Sequence, residues 1–232
     1  MIRFAWVFIT SLVVSLGVYA QEKSVKPGIN DSFQNPDVSR YVSLFEGESR
    51  AIYKHRSAIV DTLQLKAGMA VADIGAGTGF FSMLFSDEVG KKGKVFAVDI
   101  ADNFIEHIKK TSKEFGKKNV KASVCSERSV ELKAESIDVA FICDVYHHFE
   151  YPYDSMASIH TALKTGGRLI IVDFERIVGV SREWTLNHVR CGKGTTADEV
   201  KDSGFDLVRE LDLGMQGQYV LEFVKREAAP ND

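Results

Sequence analysis

The chain has 232 residues, a formal net charge of −3, and 45% apolar against 26% charged residues. That size suits one domain with a substantial core, and the charge argues against a nucleic-acid partner, which needs a basic footprint. The three cysteines, Cys125, Cys143 and Cys191, are an odd count and argue against a disulfide scaffold; they read as core filler.

In chain order, Met1-Ile-Arg3 is a short positive start, and Phe4 to Gly17 is apolar apart from Thr10, Ser11 and Ser15. Val18-Tyr19-Ala20 has the small-x-small form of a cleavage site, so residues 1–20 read as a signal peptide directing export to the periplasm. An uncleaved membrane anchor is the alternative, although the run falls short of the ~20 residues a span prefers; after cleavage no stable span is expected. Residues 21–37, with Pro27, Gly28 and Pro36, read as a flexible leader, and residues 38–227 as the folded domain. A helix is expected over 40–65, a strand over 69–74, a helix over 78–89 and a strand over 95–100. A further helix runs from Asp102, as its N-cap, to Phe115. Strands follow at 120–125 and 137–143, then a helix at 153–164 stopped by Gly166-Gly167, and a fifth strand at 168–174. A polar loop leads to a helix from Thr196, where Thr196-Ala-Asp-Glu199 has a capping-box pattern. Residues 205–213 and 218–225 form a closing hairpin. Strands interleaved with helices imply a parallel sheet, and two final strands with no helix between them an antiparallel end.

The most informative stretch is Val71-Ala-Asp-Ile-Gly-Ala-Gly-Thr-Gly79. A buried strand, a glycine turn and a helix open a nucleotide-binding βαβ unit, and glycine is needed where the backbone turns tightly or a ligand approaches it. A dinucleotide fingerprint wants a small residue at the position held here by Phe80, which speaks against a nicotinamide cofactor. The pattern D-x-G-x-G-x-G instead resembles motif I of the class I S-adenosylmethionine-dependent methyltransferases, and the resemblance covers about residues 45–225. It implies an α/β Rossmann-like fold: a mostly parallel seven-stranded sheet with an antiparallel C-terminal hairpin. In that strand order Cys125 and Cys143 end strands three places apart, roughly 14 Å at sheet spacing, too far for the ~7 Å limit of a disulfide.

In open parallel sheets the ligand lies beyond the carboxyl ends of the strands. The resemblance accordingly assigns Asp73, Gly75, Ala76, Gly77 and Gly79 to the cofactor, with Asp73 near its amino-acid end. Asp99 would accept the ribose hydroxyls, with Ile100 beside it. Ser126 or Glu127 would hold the adenine amino group, unless Glu127 and Arg128 form a solvated pair. After the fourth strand, Asp144-Val-Tyr-His-His148 faces the sulfonium and the methyl acceptor in relatives. Histidine suits a general base; His147 is favoured for the pocket and His148 for a structural role, with Asp144 beside them. No metal is expected, since the catechol-type pattern around Asp144, His147 and His148 is absent. The segment Arg50 to Arg56 resembles a lid, with Tyr53 and Arg56 either touching ligand or merely solvated and packed. Trp184, His188 and Arg190 read as a mobile wall of the acceptor pocket. The expected activity is methyl transfer from S-adenosylmethionine to a small-molecule acceptor. A non-catalytic exported nucleoside-binding protein and an NAD-dependent oxidoreductase are the rivals.

Overall fold

The computed structural model describes residues 21–48 and 50–227; the expected signal peptide, residues 1–20, lies outside them. Among the described residues no helix is long and apolar enough to cross a membrane. The helices are α1 (Val38–Phe45), α2 (Ala51–Lys54), α3 (Arg56–Thr62), α4 (Phe80–Val89), α5 (Asp102–Glu114), α6 (Pro152–Ala162), α7 (Glu183–His188) and α8 (Lys193–Asp202). The strands are β1 (Ala70–Ile74), β2 (Lys94–Asp99), β3 (Val120–Val124), β4 (Ile137–Cys143), β5 (Leu163–Phe174), β6 (Phe205–Leu211) and β7 (Gln218–Lys225).

The strands form one sheet in the order β3-β2-β1-β4-β5-β7-β6. β1 to β5 run parallel, and β7 lies antiparallel between β5 and β6. β1 is buried at every position, and β4 at all but Asp138 and Cys143, as expected of strands covered on both faces. α3 and α4 cover one face through Ile59, Leu63, Phe81 and Phe85. α6 and α8 cover the other through Met156, Ile159 and Val200. β6 is mostly exposed, and its Asp206, Arg209 and Glu210 keep this free edge polar.

Several expectations change. The helix expected over 40–65 is broken into α1, α2 and α3. Asp102 is the first residue of α5 rather than its cap, which is Ala101. Gly166 and Gly167 do not stop α6: the chain becomes extended at Leu163, and the pair lies inside β5 where its register against β4 shifts. α8 begins three residues before Thr196, so Thr196 and Glu199 are interior rather than a capping box. Thr196 is fully buried and accepts the Tyr219 hydroxyl at 2.9 Å. Glu199 holds Arg190 through two hydrogen bonds of 2.8 Å and accepts the Tyr146 hydroxyl at 3.0 Å. Arg190 is therefore a structural anchor, and the loop after β5 contains α7.

The 21–37 segment does not hang free as a flexible leader. The Gln21 backbone N–H donates to Asp154, that of Gly28 to Glu150, and Asn30 donates to the His148 carbonyl. Ile29 and Asn30 are buried. Composition missed this because the segment is held mainly by hydrogen bonds between its own polar groups and distant residues, which leave no apolar period. All three cysteines are free.

Candidate active site

The carboxyl ends of β1, β2 and β4, with the turn after β3, surround a cleft of about 860 Å³. A smaller lobe of about 420 Å³ adjoins it across Gly75 and Gly77.

The glycine turn is built by close approach. Gly75 has φ +68°, and a Cβ there would lie 2.5 Å from Val145 Cγ1. No L side chain fits without moving the segment after β4. Gly79 has φ +81° and caps α4, where a Cβ would lie 2.8 Å from Ile108 of α5. Gly79 therefore packs two helices and does not line the cleft, contrary to its assignment to the cofactor. Gly75 and Gly77 line both lobes, and Ala76 and Asp73 line the smaller one.

Asp99 is 7% exposed. It accepts the Gly77 N–H at 2.8 Å and the Ala101 N–H at 2.9 Å. A carboxylate has about four lone-pair sites, so after these two bonds it retains capacity for a diol. Burial pushes its pKa up, and the backbone donors oppose the shift. Asp73 accepts the Ser82 hydroxyl at 2.6 Å. Burial raises its pKa to about 7, Ser82 works against the rise, and Asp99 adds to it. Ile100, Ser126 and Glu127 line the main cleft. The Glu127–Arg128 pair does not form; Arg128 pairs with Asp154 and lies 3.5 Å over the Tyr151 ring.

Asp144 follows β4 with φ +54°, in a region L residues seldom adopt. Its N–H donates to Val172 of β5. Its carboxylate pairs with Arg50 and accepts Gln218 Nε2 at 2.7 Å. Burial raises its pKa to about 6, against the lowering effect of the Arg50 guanidinium. Three buried carboxylates, Asp73, Asp99 and Asp144, thus line the two lobes. The arrangement favours a cationic ligand and disfavours a pyrophosphate.

The two histidines exchange the roles expected of them. His147 is 2% exposed and does not line the cleft. Its Nδ1 lies 2.7 Å from Asp173 Oδ1, and its backbone N–H donates to the other Asp173 oxygen. The ring is thereby turned towards β5, which removes it as the base beside the methyl group. His148 lines the cleft, edge-on to Phe33 at 5.0 Å. Its pKa is pushed down to about 2 by burial, with His147 and His188 adding to the effect, so the imidazole is neutral.

The lid is also redistributed. Arg56 lies over the Tyr53 ring at 4.4 Å, and Tyr53 stacks on Phe80 at 5.4 Å. The cleft is covered instead by Phe45 and Arg50, and by Asn30 and Phe33 of the 21–37 segment. No local pattern marked Asn30 and Phe33; a polar stretch holding one isolated aromatic was the only signal. Trp184 and His188 stack on each other at 4.7 Å in α7 and do not line the cleft.

Comparison with known proteins agrees with this geometry. A demethylmenaquinone methyltransferase of Lactococcus lactis is 28% identical over 106 residues, 46% of this chain and 42% of that protein. A protein-L-isoaspartate O-methyltransferase of Methanococcus aeolicus is 32% identical over 117 residues, 50% of this chain and 51% of that protein. The chain thus spans about half the length of these relatives. The crystal structure of a SAM-dependent methyltransferase from Aquifex aeolicus superposes with a TM-score of 0.73 at 21% identity, over 82% of this chain and 100% of that one, and shows the shared fold. Residues 65–200 match the family described as methyltransferase domain. With its glycine turn, its sheet order and this match, the chain belongs to the methyltransferase-domain family, whose cofactor is S-adenosylmethionine.

Proposed function

We propose that the protein moves the methyl group of S-adenosylmethionine to a small-molecule acceptor outside the cytoplasm, residues 1–20 directing export. The observation that carries the reading is the ring of buried carboxylates around a glycine-lined cleft. The cofactor supplies an electrophilic methyl on a sulfonium. Gly75 and Gly77 let it approach the backbone, Asp99 accepts the ribose hydroxyls, and Ser126 and Glu127 stand at the adenine end. Asp73 and Asp144 offset the positive charge of the ligand. Phe45, Arg50 and Phe33 exclude water above it.

Transfer is an in-line displacement, and its leaving group needs no proton. The protein's main task is alignment, worth about 7–11 kcal/mol. His148, neutral and at the cleft wall, takes over the acceptor-side position expected of His147. Calorimetric titration with S-adenosylmethionine, S-adenosylhomocysteine and NADH tests the cofactor. Incubation with methyl-labelled S-adenosylmethionine and a cell extract, followed by product analysis, tests turnover. Binding of NADH in preference to both adenosyl ligands refutes the reading. Binding without any labelled product supports the non-catalytic alternative.

A further inference from the structure

Three histidines converge behind the wall of the cleft. His147 and His148 lie on the 3-10 turn Tyr146–His148 that follows β4, and His188 ends α7. One ligand atom from each lies within 4.8 Å of the others. His148 Nε2 and His188 Nε2 face one another at 3.3 Å. In a tetrahedral site with Zn–N of about 2.0–2.1 Å, two ligand nitrogens stand about 3.3–3.4 Å apart. The observed separation is that of one edge of such a tetrahedron, and a ligand atom of His147 lies within 4.8 Å of both nitrogens.

The surroundings are also those of a ligand set. Asp173, 1% exposed, lies 2.7 Å from His147 Nδ1, so Nε2 is the ring nitrogen left for an ion. A carboxylate behind a ligating histidine is the usual means of fixing its tautomer and orientation. Trp184 stacks on His188 at an interplanar angle of 21° and holds that ring in place. Lys26 is the nearby cation, and its ammonium is taken up by the carbonyls of Asn187 and His188.

We propose that His147, His148 and His188 bind one late first-row divalent ion of the zinc type, with a fourth position open. Three imidazole nitrogens suit zinc, copper or nickel and not the oxygen-seeking magnesium or calcium. His148 belongs to both the ion set and the cleft wall. The ion's role rests on the methyl-transfer reading; its binding does not. An acceptor hydroxyl or thiol at the open position gives its proton to water near neutral pH. Its lone pair then takes the methyl carbon, and the carbon–sulfur bond breaks with its electrons to sulfur, leaving S-adenosylhomocysteine.

The test uses mature protein stripped of metal by a chelator. Zinc is titrated against a chromophoric competitor and cobalt is followed by visible absorption. One equivalent per chain and a tetrahedral cobalt spectrum are expected. His188→Ala should weaken zinc binding by at least about 100-fold, and Asp173→Asn by about 10–100-fold; His107→Ala, on α5, should leave it unchanged. Calorimetry with S-adenosylhomocysteine on His188→Ala reports the fold independently and separates failure of this site from failure of the cofactor reading. Less than one equivalent in wild type, or unchanged zinc affinity in a folded His188→Ala protein, overturns the proposal.

Discussion

Gly75→Ala is the sharpest probe of how the glycine turn and the segment after β4 are fitted together. The new Cβ would lie 2.5 and 2.6 Å from the two methyls of Val145 and 3.0 Å from its Cβ, at φ +68°. Two costs arise. The left-handed backbone costs about 1–2 kcal/mol, and overpacking costs about 1–3 kcal/mol. The single mutant should therefore lose about 2–5 kcal/mol. Val145→Ala removes both offending methyls and leaves the 3.0 Å contact, which a shift of a few tenths of an ångström relieves. Alone it should cost about 1–2 kcal/mol for two half-buried methyls. The double mutant should thus be more stable than the sum predicts, by a coupling of about 1–3 kcal/mol. Urea unfolding of the four proteins measures this cycle. Calorimetry with S-adenosylhomocysteine should show affinity lost in both Gly75→Ala proteins, because Gly75 lines both lobes of the cleft. Stabilities that add within about 0.5 kcal/mol would show that Val145 is not the obstacle and refute the reasoning.

Further outcomes follow from the buried carboxylates and from the proposed export signal. The folded-state pKa of Asp73, about 7, lies above its ordinary 3.8. The native state therefore holds a proton the unfolded chain lacks, and Asp73 erodes stability as pH rises from about 4 to 7, by about 4 kcal/mol at most. Asp73→Asn should recover that loss progressively over the same window; a stability difference that stays flat with pH would reject the assignment. Asp144 titrates near 6, and a sulfonium beside it favours the ionised form. S-adenosylmethionine affinity should fall by up to about tenfold per pH unit below that value, and S-adenosylhomocysteine, which lacks the charge, should respond less; parallel pH profiles would remove Asp144 from the sulfonium. Asp99→Asn keeps one acceptor oxygen but cannot receive both the Gly77 and Ala101 N–H groups. It should weaken binding and lower the melting temperature together, whereas affinity lost at an unchanged melting temperature would mean that Asp99 does not hold the turn. Fusion of residues 1–20 to a reporter active only outside the cytoplasm should give activity, and exclusively cytoplasmic recovery of the uncleaved native chain would reject export.

What the sequence determined by itself was local. The apolar run of β1, the three glycines after it and the amphipathic α4 are set by strand burial, turn sterics and helical period, all within about a dozen residues. The continuous apolar run of β4 and the helix-free span between β6 and β7 are of the same kind, and with them came the sheet, the glycine turn and the positions of Asp99 and Asp144 at the strand ends. The tertiary structure decided which polar groups meet across the sheet. His147 and His148 are adjacent and alike in sequence; Asp173, 26 residues away on β5, turns one of them from the cleft and leaves it to the other. Arg50 rather than Arg56 reaches Asp144, across 94 residues. Glu199 leaves a capping-box pattern to bind Arg190 and Tyr146. Residues 21–37 read as free because hydrogen bonds to distant residues have no compositional signature. A side-chain period tells a residue which face to present. The partner it finds there depends on the register and packing of elements far away in the chain.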